Sequence, residues 1–147
     1  MENVNNTANI TEKYKEIARC ISQKVVNEKN YAPIVEYLTD NYVYHGLGGM
    51  TAQTPKGFIE AIKGFHSAIP DLQSEIIDII GEGDRLVIRF NFKGTHNGEF
   101  LGFPASGATL HFEGMIMRRF EGEKVAEDWD YFDFPTVVSQ IQSRLNS

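Results

Sequence analysis

The chain has 147 residues and a formal net charge of −6, with 41% hydrophobic and 23% charged residues. This length suits one hydrophobic core, so we expect a single domain over residues 1–147. The fourteen lysines and arginines are scattered, which argues against a nucleic-acid partner. The one adjacent basic pair, Arg118–Arg119, is expected to face solvent.

The sequence also bears on membranes and cellular location. No stretch approaches the ~20 apolar residues that a membrane-spanning helix needs, so no membrane partner is expected. The segment "MENVNNTANITEKYKE" has neither the basic nor the apolar region of a signal peptide. Cys20 is the only cysteine, which excludes an internal disulfide. A cytoplasmic protein is the simplest interpretation.

Three helices are predicted in the first half of the chain. Residues 1–10 are predicted to be disordered or frayed, and apolar residues recur at helical spacing over residues 11–27. Proline near a helix start predicts a second, short helix at 33–38 and a third at 54–67. The sequence "YVYHG" between them predicts a short strand.

The second half of the chain has the pattern of a sheet. The segments 72–81 and 85–96 are joined by "GEGD", a hairpin signal, and 108–120 and 124–132 are joined by "EGE". Residues 134–145 predict a closing helix. Helices followed by antiparallel strands indicate an α+β fold rather than a parallel, doubly wound sheet.

The segment "GTHNGEFLGFPASG", residues 94–107, concentrates four glycines between two strands. Their spacing matches no phosphate-binding motif, and no helix follows. The four histidines of the chain show no metal-ligand spacing, so no metal is expected. Glycines at strand ends let a sheet bend, and a bent sheet with helices on its concave side would enclose a pocket for a small apolar ligand.

Three segments carry a family resemblance: "AIPDLQSEIIDIIGEGDRLVIRF", the glycine-rich segment, and "RRFEGEKVAEDWDYFDF". In this order they resemble the SnoaL-like polyketide cyclases over about residues 31–140. The resemblance implies a strongly curved mixed or antiparallel sheet forming a cone-shaped half-barrel. It also implies three N-terminal helices on the concave face, a short C-terminal helix, and assembly as a homodimer. The convex sheet face, with Arg89 and Lys93, is the expected dimer contact.

The resemblance further implies an intramolecular aldol condensation that uses neither metal nor organic cofactor. The family's acid/base aspartate falls on Asp130, and strand alternation places Asp128, Asp130 and Phe132 on one face. A carboxylate in an apolar pocket suits this chemistry because desolvation makes it more basic. His45 matches a histidine that often lines the family's cavity, and His45 or Tyr44 is the expected hydrogen-bonding partner of Asp130 in catalysis. The alternatives are that these acids form a solvated rim and that His45 is a structural hydrogen-bonding group.

One position departs from the family pattern. Where the antibiotic-pathway cyclases carry a histidine that assists the aspartate, this chain has Ile116, which can neither donate a hydrogen bond nor pass a proton. The chain is therefore expected to be either a cofactor-free proton-transfer enzyme or a non-catalytic protein that binds a small molecule. As an enzyme it would act on a small apolar carbonyl compound, as an aldol cyclase, an isomerase or a lyase. The residues predicted to contact that molecule are Tyr44, Phe65, Ile116, Asp128 and Trp129.

Overall fold

Four α-helices and six β-strands make up the part of the chain that the computed structural model describes, residues 4–46 and 49–147. The helices are α1 (Val4–Cys20), α2 (Ile34–Tyr37), α3 (Thr54–Ala68) and α4 (Phe134–Leu145). A π-helical segment, Ile21–Asn27, continues α1. The strands are β1 (Leu38–His45), β2 (Thr51–Gln53), β3 (Gln73–Glu82), β4 (Arg85–Thr95), β5 (Thr109–Glu121) and β6 (Lys124–Phe132). None of these helices is long and apolar enough to cross a membrane.

The six strands form one mixed sheet in the order β2-β1-β6-β5-β4-β3. All neighbouring strands are antiparallel except β1 and β6, which are parallel. Register shifts interrupt three of the strand pairs, between Leu38 and Val43, Ile76 and Asp78, and Arg119 and Phe120. Such irregularities bend a strand and increase its twist. The α+β fold with a strongly curved sheet is thus confirmed.

The core lies between the helices and one face of this sheet. In β5, buried and exposed residues alternate along the strand, with Leu110, Phe112, Ile116 and Phe120 on the buried side. Helix α1 packs toward β3, α3 toward β1, and α4 toward β5. The inner face therefore carries side chains from every central strand, and the site is built there.

The first helix begins earlier than the sequence predicts. Residues 4–10 are helical rather than disordered or frayed; residues 1–3 lie outside the described part of the chain. Extending an existing helix adds one hydrogen bond for each residue fixed, so polar residues with modest helix propensity can join it. Strand β1 also starts early, at Leu38 rather than Tyr42, because Leu38 pairs with Val125 of β6.

The glycine-rich segment has a structural role, because several of its glycines occupy positions where a side chain would be strained or would not fit. Gly102 and Gly107 have positive φ angles of 82° and 73°, which residues with a side chain rarely adopt. Gly98 packs so closely on the Ser67 carbonyl, at the end of α3, that a Cβ atom would not fit. The side chain of His96 stays within the segment, where Nδ1 lies 2.7 Å from Ser106 Oγ.

Candidate active site

A largely apolar cavity lies between the helices and the inner face of the sheet. Its volume is about 60 Å³, which is room for a few waters or a small ligand. Polar side chains are confined to one part of its wall. The apolar lining residues are Ala18, Ile21, Val26, Phe58, Ile62, Phe65, Leu72, Phe90, Phe92, Phe112, Ile116 and Phe132, and the polar ones are Ser22, Tyr44, Arg118, Asp128 and Asp130.

The parallel pairing of β1 and β6 brings the polar residues together. Tyr44 lies opposite Asp128 in this register, and both face inward. On the other side of β6, Arg118 of β5 is the partner of Asp128. Two tyrosines, two aspartates and an arginine thus converge from three adjacent strands.

Asp128 is the centre of a closed hydrogen-bond network. Arg118 Nε lies 2.7 Å from Asp128 Oδ1, and Arg118 Nη2 lies 3.1 Å from Oδ2. The Tyr42 hydroxyl donates to Oδ2 at 2.7 Å. Burial alone would lower the pKa of Arg118, but the charge and hydrogen bonds of Asp128 raise it. Arg118 is therefore ionised, and both oxygens of Asp128 accept hydrogen bonds.

Asp130 is in the opposite situation. Its Oδ1 is enclosed and accepts no hydrogen bond from any residue in the described ranges. Burial raises the pKa of Asp130 well above its usual range, and the negative charge of Asp128 raises it further. Hydrogen bonding to Tyr44 and the charge of Arg118 act in the opposite direction. Asp130 is thus a carboxyl group with a raised pKa and one unpaired oxygen, in a residue that lines the apolar cavity.

This arrangement has a cost in stability that can be measured. Because the pKa of Asp130 is higher in the folded chain than in the unfolded chain, ionisation at rising pH favours unfolding. We expect Asp130→Asn to stabilise the protein at pH 8 by about 1–3 kcal/mol, which raises Tm by roughly 3–9 °C. Below the unfolded pKa of about 3.9 both forms are neutral, so the gain should disappear. Thermal unfolding of the wild type and the variant between pH 3 and 8 measures this gain.

The matched control is Asp40→Asn, since Asp40 is an exposed aspartate on β1. It should leave Tm within about 1–2 °C at every pH. A destabilised Asp130→Asn variant at pH 8 would contradict the assignment, because it would mean that the ionised carboxylate stabilises the fold.

Four of the residues predicted from the sequence to contact a ligand line the cavity: Tyr44, Phe65, Ile116 and Asp128. Asp130, the predicted acid/base residue, lines it too. Ile116 is the strand partner of Asp130. The departure from the family pattern therefore falls directly beside the carboxylate. The Tyr44 hydroxyl is the polar group that lies next to Asp130 instead.

Two predicted site residues lie elsewhere. His45 and Trp129 are absent from the cavity wall, and their rings stack on each other with centroids 5.4 Å apart. His45 Nε2 lies 2.7 Å from Glu127 Oε2, a partner on the outer face of the sheet. The reason is strand alternation: His45 follows Tyr44, and Trp129 precedes Asp130, so each points away from the cavity. The structure therefore does not bring His45, which is predicted to be catalytic, or Trp129, which is predicted to contact a ligand, into this cavity.

Arg118 is a site residue that the sequence did not predict. It is only 2% exposed, contrary to the expectation that the adjacent arginines face solvent. A signal was present, because Arg118 shares the alternation of Phe112, Ile116 and Phe120. Within the described ranges, no three His, Cys, Asp or Glu side chains are grouped so that they could hold a metal ion.

Comparison with known proteins agrees with the sequence resemblance. A model of the SnoaL-like polyketide cyclase family matches residues 16–141. A search of curated proteins finds no match.

Solved structures share the fold at low sequence identity. A protein from Jannaschia sp. CCS1, provisionally named a SnoaL-like polyketide cyclase, has a TM-score of 0.85 at 18% identity, covering 91% of this chain and 94% of that one. TsrD from Streptomyces laurentii has a TM-score of 0.79 at 24% identity, covering 88% and 95%. A SnoaL-like polyketide cyclase from Agrobacterium tumefaciens has a TM-score of 0.75 at 20% identity, covering 87% and 97%.

Proposed function

Since the chain belongs to the SnoaL-like polyketide cyclase family, we propose that it is a proton-transfer enzyme that acts on a small, largely apolar carbonyl compound, with Asp130 as general base. The observation that carries this proposal is a buried carboxyl group, Asp130, that lines an apolar cavity and has one oxygen, Oδ1, without a hydrogen-bond donor among the described residues. A desolvated carboxylate is a stronger base than one in water, because ionisation is no longer stabilised by solvent.

The proposed reaction is an intramolecular aldol condensation. Asp130 takes a proton from the carbon next to a carbonyl group, so the C–H bond breaks and an O–H bond forms on the carboxyl. The electron pair moves to the carbonyl oxygen and gives an enolate. The α-carbon then adds to a second carbonyl carbon of the same molecule, and Asp130 returns its proton to the new alkoxide. These steps require side chains alone.

Tyr44 is the proposed hydrogen-bonding partner of the base. Burial raises the pKa of Tyr44, and the charge of Asp130 raises it further, so the hydroxyl stays protonated. It can therefore donate to the Asp130 carboxylate and hold it in one orientation. This gives the site a polar partner for the base although Ile116 stands where related cyclases have a histidine.

Exchange of α-protons for deuterium tests the proposal without knowledge of the natural substrate. Small ketones and β-keto esters in D₂O should lose their α-proton NMR signals faster with the protein than without it. Asp130→Asn should slow the catalysed exchange by about 10²–10⁴-fold, because general base catalysis contributes that much. Asp40→Asn, exposed on β1, should exchange at the wild-type rate.

Two results would count against catalysis. Undiminished exchange by a folded Asp130→Asn variant would remove Asp130 as the base. Binding of these compounds without any catalysed exchange would favour the alternative function, a protein that binds a small molecule and does not transform it. The isoleucine beside Asp130 is the observation that favours this alternative.

We also propose a homodimer that forms through the outer face of the sheet. This face exposes Ile80, Met115, Met117 and Tyr131, which are 70%, 47%, 40% and 71% exposed. A cluster of large apolar side chains of this kind is typical of an interaction surface. Light scattering during size-exclusion chromatography should give a dimer mass, and Met115→Arg combined with Tyr131→Arg should give a monomer. A monomeric wild-type protein would contradict the proposal.

A further inference from the structure

Arg118 is a buried cation on the cavity wall, and the proton transfer proposed above assigns it no role. Its side chain is 3% exposed and its ion-pair partner Asp128 is 1% exposed. A buried charge of this kind is expensive to hold, and replacing such a pair by apolar residues is often neutral or stabilising. Stability alone therefore does not explain why an arginine is buried here. A role in ligand binding would explain it.

The hydrogen bonds of the guanidinium show which part of it is left for a ligand. Nε and Nη2 are both directed at Asp128. Nη1 donates to no residue in the described ranges, and it is not among the fully enclosed atoms that lack a partner. Arg118 lines the cavity, so Nη1 is the donor that remains available to a molecule inside it.

We propose that Arg118 binds the oxyanion of the ligand: the enolate or alkoxide oxygen that forms when Asp130 removes or returns a proton. The inference deepens the proposed function, because it assigns the group that stabilises the charge while Asp130 handles the proton. It also names the ligand class, which is a planar carbonyl compound whose enolate or phenolate form is the one bound most tightly.

Electrostatics favours this assignment. Asp128 takes two N–H donors of Arg118 and the hydroxyl of Tyr42, which fixes the guanidinium and balances its charge. When Asp130 takes up a proton, a negative charge leaves the carboxylate and appears on the ligand oxygen. A fixed donor in an apolar site stabilises such a charge far more than water does, because it does not have to reorganise. Asp128 and Tyr42 are then positioning residues for Arg118.

The rest of the cavity wall fits a planar ligand. Six phenylalanines line it, namely Phe58, Phe65, Phe90, Phe92, Phe112 and Phe132. Among them, Phe90 and Phe92 stack with centroids 5.4 Å apart, and Phe92 and Phe112 with centroids 5.3 Å apart. Rings arranged in this way offer flat faces and edges to an aromatic or conjugated molecule.

The probe for this proposal is p-nitrophenol, a planar molecule whose ionised form absorbs visible light. The wild-type protein should bind the phenolate in preference to the phenol, so that the ionised fraction of the bound probe exceeds that of the free probe at the same pH. Asp130→Asn should bind the phenolate at least as tightly, because it removes a like charge from the cavity. The spectral signal is independent of turnover.

The variant that removes the oxyanion-binding group is Arg118→Met combined with Asp128→Leu, which takes out both charges and leaves neither unpaired. If the double variant keeps a cooperative thermal transition, it should bind the phenolate roughly 10- to 100-fold more weakly and lose the preference for the ionised form. Arg118→Lys provides a second measurement, since it keeps the positive charge but loses the bidentate hydrogen bonds to Asp128. It should retain part of the preference.

The outcomes separate this inference from the proposed function. If phenolate binding depends on Arg118 but no proton exchange is catalysed, the oxyanion site is supported and the proposed enzymatic function is contradicted. Equal phenolate affinity, within twofold, in the wild type and the folded double variant would overturn the oxyanion site, whatever the exchange rates are.

Discussion

Asp128→Ala is expected to destabilise the protein by about 3–5 kcal/mol, the cost of removing one partner of a buried ion pair. The variant would leave the Arg118 guanidinium without its counter-ion in a site where only 3% of its side chain is exposed. It would also leave the Tyr42 hydroxyl without its acceptor. Since small domains are stable by only about 5–15 kcal/mol, this is a large share of the total. Urea unfolding at 25 °C measures it.

The chain offers a matched pair on its surface. Arg89 and Asp78 also face each other across neighbouring strands, 2.6 Å apart, but their side chains are 38% and 57% exposed. Asp78→Ala should cost less than about 1 kcal/mol, because solvent screens the pair and replaces its hydrogen bonds. Similar losses in Asp78→Ala and Asp128→Ala would refute the view that burial sets the cost. Arg118→Met combined with Asp128→Leu should recover most of the loss.

Phe92→Ala is expected to cost about 3–5 kcal/mol, the usual range for deleting a buried aromatic ring. Phe92 is 8% exposed, and its ring contacts those of Phe90, Phe112 and Phe132. These four rings form what we call the aromatic wall of the cavity. The variant should also enlarge the cavity, because Phe92 lines it. Its free energy of unfolding can be measured by urea titration, and the larger cavity by its affinity for bulkier phenols.

Phe92→Leu is the control for that experiment. It keeps an apolar side chain of intermediate volume, so its cost should be clearly smaller, about 1–2 kcal/mol. A Phe92→Ala variant as stable as the wild type would show that the ring is not packed against its neighbours, and the aromatic wall would then not be a rigid part of the site.

The fold and the role of Asp130 could both be predicted from the sequence, but by different arguments. Hairpin signals and helical spacing gave the order of the elements, and strand alternation put Asp128 and Asp130 on the same face. The resemblance to a family then singled out Asp130. Neither argument could predict which of the two carboxylates is free, because that depends on Arg118 and Tyr42, which reach Asp128 from neighbouring strands.

The errors have equally specific causes. His45 and Trp129 were assigned to the cavity although alternation in their own strands places each of them opposite to its inward-facing neighbour, Tyr44 or Asp130. Arg118 was missed because a charged residue is rarely buried unless it is paired, and its partner is ten residues away on the next strand. The parallel pairing of β1 with β6 leaves no local signal, since it joins distant parts of the chain.

The pairing of β1 with β6 also determines when the cavity can form during synthesis and folding. Tyr42 and Asp128 are 86 positions apart, and contacts between such distant segments form late, because a long loop has to close first. The cavity therefore cannot exist on a growing chain until its last strand has been synthesised and has found the first. A chain cut short before Lys124 should bind no phenolate at all, so ligand binding reports that β6 has been synthesised and has paired with β1.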